Sequence, residues 1–461
     1  MKNSMKNFRY TIVLAVLLSA SSSSFAQAVI GSYFIDRSFQ RTAFNPAFSP
    51  ESNYISLPVM GGFQAGISSN YGLDNFLFHK DGTLYTYLNK NVPVDEFCGK
   101  LKNDPTNFVG ADFKVLGFGF HLGKYGYLSF DADVVVDAHV TVPKELFYLT
   151  KMGMPKDGSG NVYNLSSMNL TELAYLQAGV AFSFDFSALV PGLKVGARVR
   201  YAALAEAVEA KANNVQLYMT ENEWKIKTDA EGHVVTEAIT YDPETKQFKT
   251  SGKYNVAGGG LLFDFGAEYR IALDCGPING VNVAASVSNV GRITAKNPKF
   301  TTFKSAGEAA FKGMSDVKLD TDFDERIDAI LNEFSSLANF EKVESREDYV
   351  YKFSPRIFAS AELALFQNKL TTGVIYSNRY GFNELTMSVN GKLGGFNASV
   401  SYNFITAKSF GFFLSFIPKG GVSIFIGSDC IPTKFTPQWV PINLNADFRM
   451  GVSIVFGHRD R

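Results

Sequence analysis

No uninterrupted apolar run beyond residue 26 is long enough for a transmembrane helix, which needs about 20 apolar residues. The three cysteines are too few for a disulfide-dense scaffold, and the five histidines are scattered, so we expect neither a metal site nor a cofactor. The 44 basic and 44 acidic side chains balance, which gives no indication of nucleic-acid binding. Because the sequence also lacks a phosphate-binding glycine loop and a nucleophile elbow, we expect that the protein is not an enzyme.

The N-terminus has the features of an export signal. Lys2, Lys6 and Arg9 precede a short apolar core at residues 10–18, and Ala26 ends a plausible cleavage site. No cysteine follows that site, so a lipid anchor is not expected there. We predict that residues 1–26 are a cleaved signal peptide and that the protein is exported to the outer membrane of the cell.

The C-terminal segment shows the pattern that predicts the fold class. Even positions from Ile442 to Phe456 are apolar and nearly all odd positions are polar or glycine, so a strand here has one apolar and one polar face. The same alternation recurs along a chain with 42 Phe, 21 Tyr and 40 Gly, and the mean hydropathy of -0.01 suits strands that are lipid-facing on one side only. We therefore predict an all-β protein, a transmembrane antiparallel β-barrel of about 14 strands surrounded by outer-membrane lipids.

The strand positions support this count. Strands are expected near 54–68, 112–122, 126–142, 170–186, 193–208, 257–273, 281–290, 354–366, 369–378, 384–392, 395–404, 409–417, 420–427 and 442–456. The connections alternate between short turns and longer loops, as in bacterial barrels with both termini in the periplasm. Residues 27–53, with Pro46 and Pro50, are expected to be an irregular plug segment before the barrel of residues 54–461.

Two long extracellular insertions are expected to have structure of their own. In 209–256, residues 223–227 and 233–235 flank the sequence Asp229 to Gly232, which predicts a β-hairpin with a turn at that sequence. In 291–353, apolar residues recur at helical spacing between Phe323 and Ala338, which predicts an amphipathic helix. Its apolar stripe covers either the barrel mouth or a partner protein.

Charged residues should face the lumen, because Arg or Lys facing lipid at the bilayer midplane costs about 2–4 kcal/mol. The expected lumen residues are Asp131, Asp133, Asp137, His139, Lys194, Arg198, Arg200, Asp264, Glu268 and Arg270. Two interpretations stay open for this set: a salt-bridged network that fixes strand register, or a polar path that gives a channel its selectivity.

Two further predictions concern single residues. Phe456 ends the last strand, and a terminal aromatic on an alternating strand is what barrel-insertion machinery reads in outer-membrane barrels generally, so we expect Phe456 to be an assembly signal. In a closed barrel the first and last outward loops are neighbours. Cys98 and Cys430 lie in those loops, so a disulfide between them is expected, whereas Cys275 lies in a turn on the opposite side.

The sequence Asn45-Pro46-Ala47, just before the first strand, resembles the plug region of the long-chain fatty-acid transporter superfamily of outer-membrane barrels. The stretch from Arg41 to Asn53 is more closely similar to a family of outer-membrane barrels from bacteria that use type IX secretion. The resemblance implies that Asn45, Pro46 and Ala47 belong to a hatch that closes the lumen and that hydrophobic small molecules pass through the barrel. The transporters also have a kink in their third strand, whereas residues 127–141 here contain no Gly or Pro.

Three hypotheses about function follow. The first is a transporter or channel for hydrophobic small molecules, which a co-purified ligand would support. The second is a structural or secretion-accessory barrel with a partner protein, which a stable complex would support. The third is a barrel enzyme that uses Asp137 and His139, which loss of hydrolysis on changing His139 would support.

Overall fold

The computed structural model describes residues 30–58, 60–153, 160–220, 223–236, 239–242, 247–250, 255–296, 300–311, 341–343, 347–379, 382–431, 435 and 445–459. Within these ranges the chain forms a closed antiparallel β-barrel of fourteen strands, which confirms the predicted fold class. The predicted signal peptide and the predicted helix at 323–338 lie outside the described residues.

In chain order the described strands are β1 (Asn53–Ser56), β2 (Phe63–Ser69), β3 (Leu77–Lys80), β4 (Thr83–Thr86), β5 (Thr106–Leu122), β6 (Gly126–Thr141), β7 (Asn161–Asn164), β8 (Asn169–Asp185), β9 (Leu193–Ala212), β10 (Gln216–Met219), β11 (Trp224–Val235), β12 (Ile239–Asp242), β13 (Gln247–Thr250), β14 (Gly258–Cys275), β15 (Ile278–Ala295), β16 (Phe300–Phe311), β17 (Glu341–Val343), β18 (Tyr349–Lys352), β19 (Arg356–Leu365), β20 (Leu370–Arg379), β21 (Phe382–Leu393), β22 (Phe396–Asn403), β23 (Phe410–Phe416), β24 (Gly421–Ile431) and β25 (Ala446–Phe456). The barrel wall consists of β1 with β2 as its first strand, followed by β5, β6, β8, β9, β14, β15, β19, β20, β21, β22, β23, β24 and β25. Short helices are present at Ile30–Ser32, Phe39–Ala43 and Leu73–Asn75 (all 3-10), and α1 (Val94–Lys100) and α2 (Lys144–Met152) are α-helices. None of the described helices is long and apolar enough to cross a bilayer.

The last strand shows how the alternation is used. Phe448, Met450, Ile454 and Phe456 are 38%, 47%, 41% and 42% exposed on the outer wall, whereas Arg449 is 5% exposed and faces inward. The apolar band faces lipid and the polar face lines the lumen, as a membrane barrel requires. The barrel closes where β25 pairs with β1 and β2. Because this seam leaves no free sheet edge, the backbone groups along it are hydrogen-bonded within the wall.

The first barrel strand is interrupted near Gly61 and Gly62. β1 ends at Ser56 and β2 begins at Phe63, and the intervening chain turns with a hydrogen bond from Gly61 N to Leu57 O. Both halves still pair with β5 and β25. By contrast, β6 pairs with β8 without a register shift, so the third barrel strand is as continuous as its sequence indicates.

The two ends of the barrel differ. One end, called here the turn end, carries the short connections at 123–125, 186–192, 276–277, 366–369, 394–395 and 417–420, and both Asn53 and Phe456. Gly123 and Gly394 have φ of 55° and 59° there, a left-handed conformation that glycine adopts without steric cost. The other end, called the loop end, carries the long insertions.

The hairpin predicted within 209–256 is wrong in its turn. Residues 229–232 lie inside β11, which runs without a break from Trp224 to Val235 and pairs with β9 on one edge and β16 on the other. Neighbouring strands on both sides supply a full ladder, so the backbone continues as strand despite the turn-forming residues. The predicted start of the last strand at 442 lies outside the described residues, and the strand is described from Ala446.

Candidate functional site

Residues 30–50, called here the lumen segment, run through the interior of the barrel. Nearly all of them are buried, and the backbone N–H of Ile30 donates to Asp429 Oδ2 on β24 at 2.8 Å. Near the turn end, Arg37 Nε donates to Glu51 Oε2 at 2.7 Å, and Lys392 Nζ on β21 donates to Glu51 Oε1 at 2.9 Å. The segment is therefore fastened both inside the barrel and at its turn end.

An aromatic cluster fixes the middle of the lumen segment. Tyr33, Phe34, Phe44 and Phe48 pack against wall residues that include Phe358. The Tyr33 ring lies edge-on to the rings of Phe44 and Phe48 at centroid distances of 5.4 and 5.1 Å. Burying each such side chain contributes about 1.5–3 kcal/mol, so the cluster is a large part of what holds the segment in place.

Asn45-Pro46-Ala47 lies against three neighbouring wall strands. Asn45 Nδ2 donates to Ala267 O at 3.0 Å and to Ala285 O at 3.2 Å, and its Oδ1 accepts from Ala47 N at 2.9 Å. Gly266 on β14 and Gly196 on β9 leave the space, since a Cβ at either position would overlap Asn45 or Pro46. The close approach of two backbones explains why these wall positions are glycine.

The predicted lumen charges on β14 meet partners from the lumen segment. Arg270 Nη2 lies 2.6 Å from Asp36 Oδ1 and 2.8 Å from Glu268 Oε1. Arg41 of the segment is fully buried, bonds Asp36 and stacks over the Phe48 ring at 3.9 Å. Asp36 and Arg41 were not singled out from the sequence, because an irregular segment shows no periodicity that reveals its inward residues.

The other predicted charges form two further groups. Arg200 Nη2 and Arg198 Nη1 lie 2.5 and 3.5 Å from the Asp264 carboxylate, and Arg198 Nη2 also donates to Thr42 O at 2.5 Å. Lys114 Nζ lies 2.6 Å from Asp131 and 3.1 Å from Asp133. Lys114 was also missed, because it lies beside a bulge in β5 where the alternation shifts.

The remaining predicted residues lie apart from these groups. Lys194 Nζ donates to Ser49 Oγ of the lumen segment at 2.9 Å. Asp137 and His139 lie further towards the loop end of β6, and the His139 ring is 5.2 Å from that of Phe108. In the described part of the chain, no group of three or more His, Cys, Asp or Glu side chains is placed to hold a metal ion.

The lumen segment lies between two cavities. The turn-end cavity, about 570 Å³, is lined by Phe34, Ile35 and Asp36 of the segment and by wall residues that include Arg270 and Glu362. The second cavity, about 120 Å³, lies on the other side of the segment against Gln40 and Thr42. Its wall is strongly charged: Asp112, Lys114, Asp131, Asp133, Asp137, Arg198, Arg200, Asp264, Arg356 and Arg449.

A family model described as "Family of unknown function (DUF5723)" matches residues 46–429. The chain belongs to this family. No curated protein matches it.

Among solved structures, this DUF5723 barrel is similar to a TodX deltaS2S3 mutant monoaromatic hydrocarbon channel, with 10% identity, a TM-score of 0.38, and coverage of 95% of this chain and 98% of the other. It is similar to the Pseudomonas putida toluene transporter TodX, with 9% identity, a TM-score of 0.31 and 94% coverage of each chain. It is also similar to the Ralstonia pickettii toluene transporter TbuX, with 8% identity, a TM-score of 0.32, and coverage of 91% of this chain and 93% of the other.

The three cysteines of this DUF5723 barrel are free thiols, so the expected bridge between Cys98 and Cys430 is not formed. Cys98 lies in α1 and packs with a cluster of loop-end aromatic residues around Phe97. Cys430 lies in β24, where its backbone N–H donates to Asp447 Oδ1 at 2.7 Å. Each cysteine is held by a different structural unit, and adjacency of two loops in a barrel does not bring particular side chains together.

Phe456 is the last residue of β25 and lies on the outer wall. The chain after it is held at the turn end: His458 Nδ1 and Ser52 Oγ are 3.1 Å apart, and Arg459 N donates to Glu51 O at 2.9 Å. These contacts link the C-terminus to the residues that join the lumen segment to β1.

Proposed function

We propose that this protein is an outer-membrane transporter for small molecules with an apolar part, in which the lumen segment is a hatch that moves to open the path. The observation that supports the proposal is that residues 30–50 are nearly all buried inside the barrel and line a lumen cavity on each side.

Besides its buried aromatic cluster, the hatch has polar contacts that can be broken and remade. Its contacts with the wall combine hydrogen bonds to backbone carbonyls, such as Asn45 to Ala267 and Ala285, with ion pairs such as Arg270 to Asp36. Such bonds are directional and can be exchanged for bonds to water or cargo at a net cost of about 0.5–1.5 kcal/mol each, about 1.5–3 for bonds to charged groups. Phe34 and Ile35 present apolar surface to the turn-end cavity, which suits cargo with an apolar part.

Single-channel recording in planar bilayers tests the hatch. Wild type should conduct weakly, and replacing Asn45, Pro46 and Ala47 with glycine should raise the conductance. Asn107→Ala is the matched control, because Asn107 lies at the loop end and donates to Tyr71 Oη rather than to the lumen segment. Equal conductance in all three proteins, with residues 30–50 open to protease in the folded barrel, would show that the segment is not a hatch.

A second candidate function is binding of a partner protein at the loop end. One described feature favours it: Val162 on β7 and Tyr218 on β10 are cross-strand neighbours that are 60% and 38% exposed outside the barrel. Pull-down from mildly solubilised outer membrane, with both lipids and proteins identified, separates the two functions. A stoichiometric partner that is lost with Tyr218→Ser would favour the second.

A further inference from the structure

Glu362 is a buried carboxylate on the wall of the turn-end cavity. It is 7% exposed, and its described hydrogen bond is from Asn282 Nδ2 to Oε2 at 3.3 Å. Among the described residues, no basic side chain lies within ion-pair distance of Glu362, whereas the nearby Asp36, Glu51 and Glu268 all have such partners. The cavity therefore has a carboxylate whose charge the described ion pairs leave unbalanced.

Two asparagines on the same cavity add acceptors. Asn390 and Asn397 are each 4% exposed, and neither Oδ1 atom has a hydrogen-bond partner in the described structure. Their orientation is fixed by the amino groups, because Asn390 Nδ2 donates to Thr371 O and Asn397 Nδ2 donates to Gly395 O, atoms that can only accept. The Asn282 carbonyl also lacks a partner, and its amino group is held by the Glu268 and Glu362 carboxylates.

The residues that carry these acceptors line the cavity from two sides. Asn282 and Glu362 are paired across β15 and β19, while Asn390 and Asn397 lie on the adjacent strands β21 and β22. Only β20 separates the strand of Glu362 from the strand of Asn390, so these two residues are at least about 10 Å apart at a strand spacing of about 4.8 Å. Between them, the Phe34 ring lies where a side chain at Gly373 would be. A ligand in this space meets an apolar ring and hydrogen-bond acceptors on both sides.

We propose that the turn-end cavity binds a small molecule that carries a primary ammonium group on an apolar body. The positive charge and the donors of the ammonium group match the Glu362 carboxylate and the carbonyl of Asn282 beside it, and Asn390 and Asn397 lie at the other end of the ligand. The apolar body packs on Phe34 and Ile35, and the volume of about 570 Å³ is within the range of small-molecule sites. This inference rests on the proposed transport function, since it names the class of cargo.

Binding to the full-length protein, folded in detergent, tests the site. The probes are 2-phenylethylamine, phenylacetate and 2-phenylethanol, which share an aromatic body and differ in charge, and isothermal titration calorimetry at pH 7 measures their affinities. 2-Phenylethylamine should bind more tightly than the other two. Glu362→Gln should weaken its binding by at least about 10-fold. Glu362→Asp should retain part of the affinity, and Asn397→Ala should weaken binding by a smaller factor.

Glu206→Gln is the matched control, because Glu206 lies on β9 and does not line the turn-end cavity. Heat-dependent migration on gels shows that each variant is a folded barrel before its binding is measured. Equal affinities for the three probes, or equal binding of 2-phenylethylamine to wild type and to folded Glu362→Gln, would overturn the inference.

Failure of the site and failure of the transport function give different results. If the glycine-substituted hatch opens a conductance but no probe prefers the cavity, the transporter stands and the cargo class is wrong. If 2-phenylethylamine binds through Glu362 but no change to the hatch alters conductance, the binding site stands and the transport function is wrong.

Discussion

Asn45 of the lumen segment and Gly266 of β14 are in such close contact that a Cβ at position 266 would overlap Asn45 Oδ1. The two residues are far apart in sequence, yet the absence of a Cβ at Gly266 is what allows the Asn45 amide to lie against the wall there. Gly196, on the neighbouring strand β9, is in the same kind of contact with Pro46, because a Cβ at position 196 would overlap the Pro46 backbone. The two glycines thus leave the space in which the Asn45-Pro46-Ala47 turn lies against the wall.

Gly266→Ala should therefore displace the segment. The added methyl group removes the hydrogen bonds of Asn45 to Ala267 O and Ala285 O, and we expect a loss of about 1–3 kcal/mol in stability and faster proteolysis of residues 30–50. Thermal unfolding and limited proteolysis measure the two effects. Gly99→Ala is the control, because nothing lies within 4 Å of a Cβ at that position in α1. A Gly266→Ala protein as stable and as protease-resistant as the control would show that the position of Asn45 does not depend on a glycine at 266.

The ion pairs at the turn end should make the attachment of the segment sensitive to acid. Burial raises the pKa of the Glu51 carboxyl. The Lys392 ammonium and the hydrogen bonds from Lys392 and Arg37 together lower it by more, so the net pKa is below its usual value. A carboxyl with a depressed pKa in the folded state stabilises the protein above its unfolded pKa of about 4.3, and this contribution is lost as pH falls through the folded pKa.

Lys392→Met should accordingly lower stability by about 1 kcal/mol at pH 7, since the pair is partly accessible to solvent, and the difference from wild type should shrink below about pH 4. Melting temperatures from pH 3 to 8 measure this. Lys369→Met, at another turn-end lysine, should show a pH dependence like that of wild type. A Lys392→Met difference that is constant with pH would show that the effect is not due to Glu51.

The terminal aromatic can be separated from other lipid-facing aromatics on the same strand. Phe456 and Phe448 both face outward on β25 and are 42% and 38% exposed, so each loses a similar lipid contact when changed to alanine. If Phe456 is read during assembly, Phe456→Ala should lower the amount of protein in the outer membrane several-fold, and Phe448→Ala should have a smaller effect. Quantitative blotting of membrane fractions measures both, and equal yields would leave Phe456 without a special role.

Deletion of residues 457–461 should be tolerated during assembly, because it leaves Phe456 at the end of the chain, and outer-membrane yield measures this. The structure adds a second expectation. The deletion removes the bonds of His458 to Ser52 and of Arg459 to Glu51 O, so the deleted protein should be assembled normally but melt at a lower temperature. A large loss of yield would mean that the tail itself is needed for assembly.

The thiols should differ in reactivity towards an alkylating reagent without reductant. Cys275 is exposed at the turn end, whereas burial raises the pKa of the Cys98 thiol, so Cys98 should be slower at neutral pH. Cys430 lies in β24 beside Asp447, with which it lines an internal cavity, and it should be slowest. Mass spectrometry of peptides at successive times gives the order. A peptide pair linked through Cys98 and Cys430 would restore the disulfide.

The wall of the barrel was predictable because the alternation of apolar and polar residues within each strand indicates which of its faces points outward. The alternation of β25 or β6 depends only on which side meets lipid, and the connections then give the order of strands. The lumen was less predictable. Asp36 and Arg41 lie in an irregular segment, and their partners Glu268 and Arg270 are more than two hundred residues away in sequence, so no local pattern links them. The prediction of a turn at 229–232 was wrong for a related reason: β16, which pairs with β11 along its whole length, comes from residues 300–311, and no local pattern reveals that pairing.

The lumen segment leads directly into β1, and β1 pairs with β25, so the seam of the barrel joins the first and last parts of the wall. We expect residues 30–50 to lie between the strands before that seam forms, because a closed wall gives their buried aromatic cluster no lateral entry. In this order of events, the pairing of β1 with β25, which joins the residues farthest apart along the chain, forms last and encloses residues 30–50. A chain that lacks residues 30–50 would then close faster than the intact one, while its product would be a hollow cylinder.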